Sequence, residues 1–387
     1  MRRSLMRSAN TMDLEKQIAN TVLKKIAKIA EEQHLGTEEI EKLMDGAVKT
    51  AVTDGLKTMV DALVPQLMQQ IPEIVEQERT LRAGFEQRLY TRWQRALDLF
   101  DATVALTREA GERFLKKYRE RVVKEDDVLT EALVRIHLHA CQTAGAISVL
   151  LKSGFARDAL ARERTLHELA VVALLLQKHG TDLAERFLLH EIIETCKTAE
   201  QYEQAYVRLG YEPPDPANLP YLQAEKRRLC QRFGEDFKNL YGWAVEAIGV
   251  RMPKFEDLEK AAGLNHLHPH YRMASYGVHA TPKGMVFDIG TLHDLTGGEV
   301  SLLAGASDAG LADPGHGSLI SLNQCTSALL TSKTDIEVVV YLQTLQSFVD
   351  EAGQAFLDVH NEQVQEEKLR VKSLNEQESE DSVLPNE

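Results

Sequence analysis

Apolar residues recur along most of this chain at intervals of three and four, the spacing of one helix face. Ile18, Val22, Ile26 and Ile29 mark such a stripe over residues 13–34, with Asp13 as a candidate N-cap and Gly36 as the stop. Thr37 opens a second helix, and Pro65 and Pro72 are expected to punctuate the one that follows. From about 76 to 124, Leu81, Phe85, Leu89, Trp93, Leu97 and Phe100 line one side of a long charged helix. Two strongly apolar helices come next, over about 128–152 and 156–179, ended by Gly154 and Gly180. Their short connection predicts an antiparallel hairpin. Thr181 is expected to cap a helix over 182–197, with a short one over 199–209 closed by Gly210. After the loop Pro213-Pro214-Asp215-Pro216, helices are predicted over about 220–249 and 255–262. Residues 270–279 read as a further helix, with Pro269 in its first turn and Pro282 as its stop. The glycine-rich stretch 284–318 reads as a loop or small hairpin, in which Gly315-His316-Gly317 lacks the preceding strand of a phosphate-binding fingerprint. A last helix is predicted over 333–372, and the acidic residues 373–387 read as disordered.

The expected fold class is therefore all-α. A multi-helix bundle domain over 76–372 carries a Gly-rich loop or small hairpin insertion, an N-terminal helical extension over 1–75 and a disordered tail over 373–387. Composition agrees: of 387 residues 43% are apolar and only 6% aromatic, which favours helix over sheet.

A net charge of −14 argues against a molecule coated for nucleic acid or anionic membrane. Residues 79–124 nevertheless hold twelve Arg or Lys against six acids, a local basic ridge. No apolar run approaches the ~18 residues of a membrane span. Cys141, Cys196, Cys230 and Cys325 are scattered, without a CxxC, as expected of buried thiols in a reducing compartment. The expected location is cytoplasmic. His266, His268 and His270 alternate, but no Cys or acid completes a ligand set, so neither metal nor cofactor is expected.

Two groups carry candidate chemistry. Arg164 and Glu168 stand at i and i+4 on a largely apolar helix, the spacing of an ion pair. On the predicted 270–279 helix, Tyr271, Ser275 and His279 stack on one face with Arg272 beside them. An imidazole can move protons near neutrality and a guanidinium can hold phosphate. Arg135…His139 and Arg162…His167 are weaker Arg/His pairs.

The ordered set Gly154-Phe155-Ala156-Arg157, Arg164-Thr165-Leu166-His167-Glu168, His190, Lys197 and Tyr271-Arg272-x-x-Ser275-x-x-x-His279 resembles the bacterial DUF5677 family of unknown function, over about 125–350. The resemblance implies an all-helical fold. The bundle is also similar to the HEPN superfamily, which includes metal-independent RNases with an Arg, four to six residues, then a His. Carried to this chain, that likeness implies His279 as acid/base and Arg272 as phosphate clamp, with Ser275 or Tyr276 as an accessory donor. The implied partners are RNA and a second copy across a dimer, and the implied role is a toxin or phage-defence effector. The alternative is a non-catalytic interaction or ligand-sensing module in which Arg164, Glu168, Tyr271, Ser275 and His279 form one buried network.

Overall fold

A computed structural model describes residues 24, 28, 31, 32, 36–286, 305–333 and 336–381. Among these, twelve helices and no strand are present, which establishes the all-α class. The chain divides into two compact units, Met1–Gly84 and Phe85–Glu387. The division falls within α1 (Thr37–Glu125), which continues through Pro65 and Pro72 instead of breaking there. Each proline removes one backbone hydrogen bond, and the surrounding good helix formers keep the helix intact. Of the stripe expected over 13–34, all but residues 24, 28, 31 and 32 lies outside the described residues.

In the second unit α2 (Val128–Lys152) and α3 (Ala156–His179) form the expected hairpin. Asp127 caps α2 by accepting from the Thr130 amide at 3.0 Å, and it also takes Lys333 at 2.7 Å. Gly154 turns the hairpin at φ 76°, a left-handed conformation that favours glycine. A side chain there would also strike Phe85 and the Ser307 carbonyl.

Past Gly180 the chain departs from the expected helices. Thr181 makes no capping bond; α4 (Thr181–Leu189) ends at His190, and α5 (Glu191–Leu209) runs on to Gly210. The buried His190 Nε2 donates to the Asn239 carbonyl at 2.9 Å, and the helices change direction around it. α6 (Asn218–Phe233) stops at Gly234, so the single helix expected over 220–249 is replaced by α6, short 3₁₀ turns and α7 (Val245–Ile248). α8 (Phe255–Ala262) is as expected: Asp257 accepts from the Lys254 amide and Gly263 closes it at φ 79°.

α9 (His268–Ser275) takes Pro269 in its first turn but ends four residues before His279. Gly277 lies against the Arg157 carbonyl, and the Arg157 guanidinium donates to the Gly284 carbonyl. Those contacts with the start of α3 hold the segment after Ser275 in a turn. Pro282–Val286 is a short helix, α10. The remainder of the expected loop or hairpin lies outside the described residues up to Gly305, and from Ala312 it is helical.

That helix, α11 (Ala312–Leu330), is absent from the sequence-based expectation and forms the centre of the bundle. It packs most extensively on α3, then on α2 and α12 (Ile336–Asp381). Its small residues permit this. A Cβ at Gly315 would lie 2.5 Å from the Phe356 ring of α12, and one at Gly317 would lie 3.3 Å from the Glu163 carboxylate of α3. Close packing outweighs the weak helix propensity of Gly and Ser. Phe356 also meets Trp93 and Phe100 of α1 at centroid distances of 5.8 and 6.4 Å. α12 continues to Asp381, past the expected start of the disordered tail, because Glu, Gln and Lys favour helix; residues 382–387 lie outside the described residues.

All four cysteines are buried free thiols. Several cations of the basic ridge are paired, Arg113 with Glu109, and Arg92 and Arg95 with Glu366 and Glu351 of α12. Among the described residues no helix is long and apolar enough to cross a membrane.

Candidate functional site

Four helices of the second unit, α3, α9, α11 and α12, enclose a cavity of about 410 Å³. From α3 come Leu160, Glu163 and His167, on successive turns of its inward face. Tyr271 enters from α9, Asp313 and His316 from α11, and Asp350 and Phe356 from α12. Small residues shape the opposite wall. Gly317 leaves space beside the Glu163 carboxylate, and Gly353 accommodates the His316 ring.

Glu163 is the unusual group. It is only 7% exposed, and no hydrogen-bond partner reaches its carboxylate among the described residues. Burial, with Asp313 adding to it, pushes its carboxyl up to about 7. A group poised there can give or accept a proton near neutrality. His316 is moved the other way: burial lowers it, against the pull of Asp350 and Asp313, so its imidazole is neutral at pH 7.

His167 is oriented from behind. Its Nε2 donates to Glu259 Oε1 at 2.9 Å, and the second oxygen of Glu259 accepts from His268 Nδ1 at 2.5 Å. Glu259 is completely buried on the inner face of α8. Burial lowers His167 by more than Glu259 raises it. The contact is therefore a neutral imidazole on a carboxylate, with the tautomer set by the carboxylate.

A second network adjoins the first. Arg164 and Glu168 are bridged at 3.1 Å, as their spacing predicted. Both reach the Tyr271 hydroxyl, which accepts from Arg164 Nη2 at 2.8 Å and donates to Glu168 Oε1 at 2.9 Å. Burial, with Glu168 adding to it and Arg164 opposing it, pushes the Tyr271 phenol up to about 12. Its ring packs on Phe255 at 4.4 Å and lines the cavity. Tyr271 thus couples α3, α8 and α9.

The other expected site residues are not part of this network. Ser275 donates to the Tyr271 carbonyl at 2.8 Å, a bond within its own helix. Tyr276 is half-buried under Lys283, whose Nζ lies 4.9 Å from the ring centroid. Arg272 and His279 are both exposed, the first on α9 and the second beyond its end, and neither lines the cavity. Among the described residues no hydrogen bond joins them, and no group of three or more His, Cys, Asp or Glu side chains is placed to hold a metal ion.

Sequence reasoning passed over Glu163, Glu259, Asp313, His316 and Asp350. One signal was available. Leu160, Glu163, His167 and Ala170 share a helix face, so Glu163 interrupts an apolar stripe with a charge. The groups on α11 and α12 gave no such signal, because α11 itself was not recognisable.

No curated protein and no solved structure matches this chain. Residues 130–295, which run from α2 past α10 and supply Glu163, His167, Glu259 and Tyr271 but not the α11 and α12 walls, match the model of a family of unknown function (DUF5677).

Proposed function

We propose that this protein is a ligand-binding helical module whose site is the α3–α9–α11–α12 cavity. The observation that carries the reading is Glu163, a buried carboxyl with no protein partner among the described residues, beside a space of about 410 Å³. The carboxyl is poorly solvated where it stands, and a ligand that bonds it replaces the solvation it has lost. Pockets of this size take small molecules. Phosphodiester cleavage has weaker support, since no Arg or Lys lines the cavity to hold a phosphoryl group.

A charge-balanced fragment library of cations, neutrals and anions is expected to give hits by thermal shift that Leu357→Trp abolishes. Leu357 lines the cavity and is 47% exposed, so a larger side chain can fill the space without disturbing the core. Hits indifferent to that change, or none, overturn the reading. So does cleavage of tRNA in the presence of chelator that His279→Ala removes, which restores the nuclease alternative.

Self-association has separate support in the first unit. Val60, Val64, Leu67, Ile71 and Ile74 alternate at spacings of four and three along α1, the a/d pattern of a coiled coil. Val60, Val64 and Ile71 are exposed. Pro65 and Pro72 both follow a-type residues and so face away from that seam. An identical helix with the same repeat is the natural partner. Light scattering is expected to give a dimer mass that the pair Val64→Lys and Ile71→Lys halves. A monomer before substitution discards the dimer.

A further inference from the structure

We propose that the ligand of the cavity is a small organic cation, an ammonium group on an apolar body, with the ammonium seated on Glu163; this rests on the cavity being a ligand site at all. The charge of the walls argues for it. Three carboxylates line the space, Glu163, Asp313 and Asp350, one from each of α3, α11 and α12. No Lys or Arg side chain is among the lining residues to neutralise them. Of the three lining histidines, burial lowers His167 and His316, so neither offsets that charge, while His270 is exposed. An anionic ligand would pass the exposed Asp313 and Asp350 and find no Lys or Arg beside Glu163 to pair with, which disfavours it.

Glu163 provides the anchor. It is 93% buried by its 7% exposure and has no hydrogen-bond partner among the described residues. Carboxylates this deeply buried are normally paired. Its neighbour across the cavity is Gly317, whose missing side chain leaves the approach to the carboxylate open. An N–H of a bound ammonium can donate there and form a charge-assisted bond in place of the missing protein partner. Tyr271 and Phe356 complete the wall, with the Phe356 ring fully buried and the Tyr271 ring already under the Arg164 guanidinium at 4.8 Å. Leu160, Ile320 and Leu357 supply apolar wall for the rest of the molecule. Arg164 is close in sequence but engaged elsewhere, on Tyr271 and Glu168, and does not line the cavity.

The test uses the full chain and three probes that share one body: phenethylamine, phenethyl alcohol and phenylacetate. Calorimetry is expected to give phenethylamine an affinity at least about tenfold above that of the alcohol, with no binding of phenylacetate. Glu163→Gln is expected to remove that advantage, leaving amine and alcohol alike, and Leu357→Trp to remove both. Phenylacetate or the alcohol binding as tightly as the amine, in a manner Leu357→Trp abolishes, overturns the cation and leaves the ligand site standing. The same holds if phenethylamine fails while the fragment library still yields hits sensitive to Leu357→Trp. Loss of the amine advantage in Leu357→Trp but not in Glu163→Gln places the ammonium on another carboxylate and also overturns the proposal. If neither these probes nor any library member binds, both the cation and the site are discarded.

Discussion

Glu163→Gln is expected to stabilise the protein at pH 8 relative to pH 5 by about 2–3 kcal/mol, a gain on the order of 5 °C in Tm. The sign follows from the direction of the shift. Burial raises the Glu163 carboxyl from its ordinary value of 4.5 to about 7 in the folded chain. Below 4.5 the group is protonated whether folded or unfolded and contributes nothing. Between 4.5 and 7 the unfolded chain ionises while the folded one retains its proton, so stability falls as pH rises. Above 7 the folded chain carries the full penalty of a buried charge. Gln has no such charge, so the difference between the two proteins grows across that window. The buried histidines act in the opposite direction. His137, pushed down to about 4, and His167, His190 and His316 resist protonation when folded, so acid destabilises through them below about 6.5. They are common to both proteins and cancel in the comparison. Urea unfolding at pH 5, 6, 7 and 8 reads the effect, and a pH-independent difference would mean that the carboxyl is solvated. A side chain whose removal stabilises the molecule is one the fold does not need, which is what the proposed ligand site requires of Glu163.

Much of the helical framework was legible because its signals are local. Gly180, Gly210 and Gly263 fall directly after helices and Gly154 one residue further on, all with positive φ, and α2, α3 and α8 run as their apolar spacing predicted. The ion pair of Arg164 with Glu168 was legible for the same reason, since one helical turn sets its geometry. What could not be read depended on partners distant in sequence. α11 holds glycines and serines that read as loop, and its helicity follows from packing against Phe356 and Glu163, about 40 and 150 residues away. The end of α9 at Ser275 is set by Arg157, on another helix. The cavity needed α11 in place before Asp313 and His316 could be brought opposite Glu163, so the site stayed hidden while Glu163 alone stood out as a charge on an apolar face.

Glu259→Ala is expected to cost about 3–5 kcal/mol, lowering Tm by on the order of 10 °C, the largest effect of any single substitution proposed. Glu259 is completely buried, and its two oxygens are the acceptors for His167 and His268. Alanine leaves two imidazole N–H groups without a partner and a void between α8 and α3. Glu259→Gln separates these effects. It keeps the volume and one carbonyl acceptor, so one histidine stays bonded while the other faces an amide donor, and the cost is expected to fall to about 1–2 kcal/mol. Denaturant midpoints in the order wild type, Gln, Ala test the assignment; a Glu259→Ala protein as stable as wild type would remove the network from the core. Glu259 touches the cavity only through His167, so it acts as a positioning residue. In Glu259→Gln, affinity for a cavity ligand should therefore weaken less than in Glu163→Gln. Equal losses would mean that the imidazole of His167, not the carboxylate of Glu163, holds the ligand.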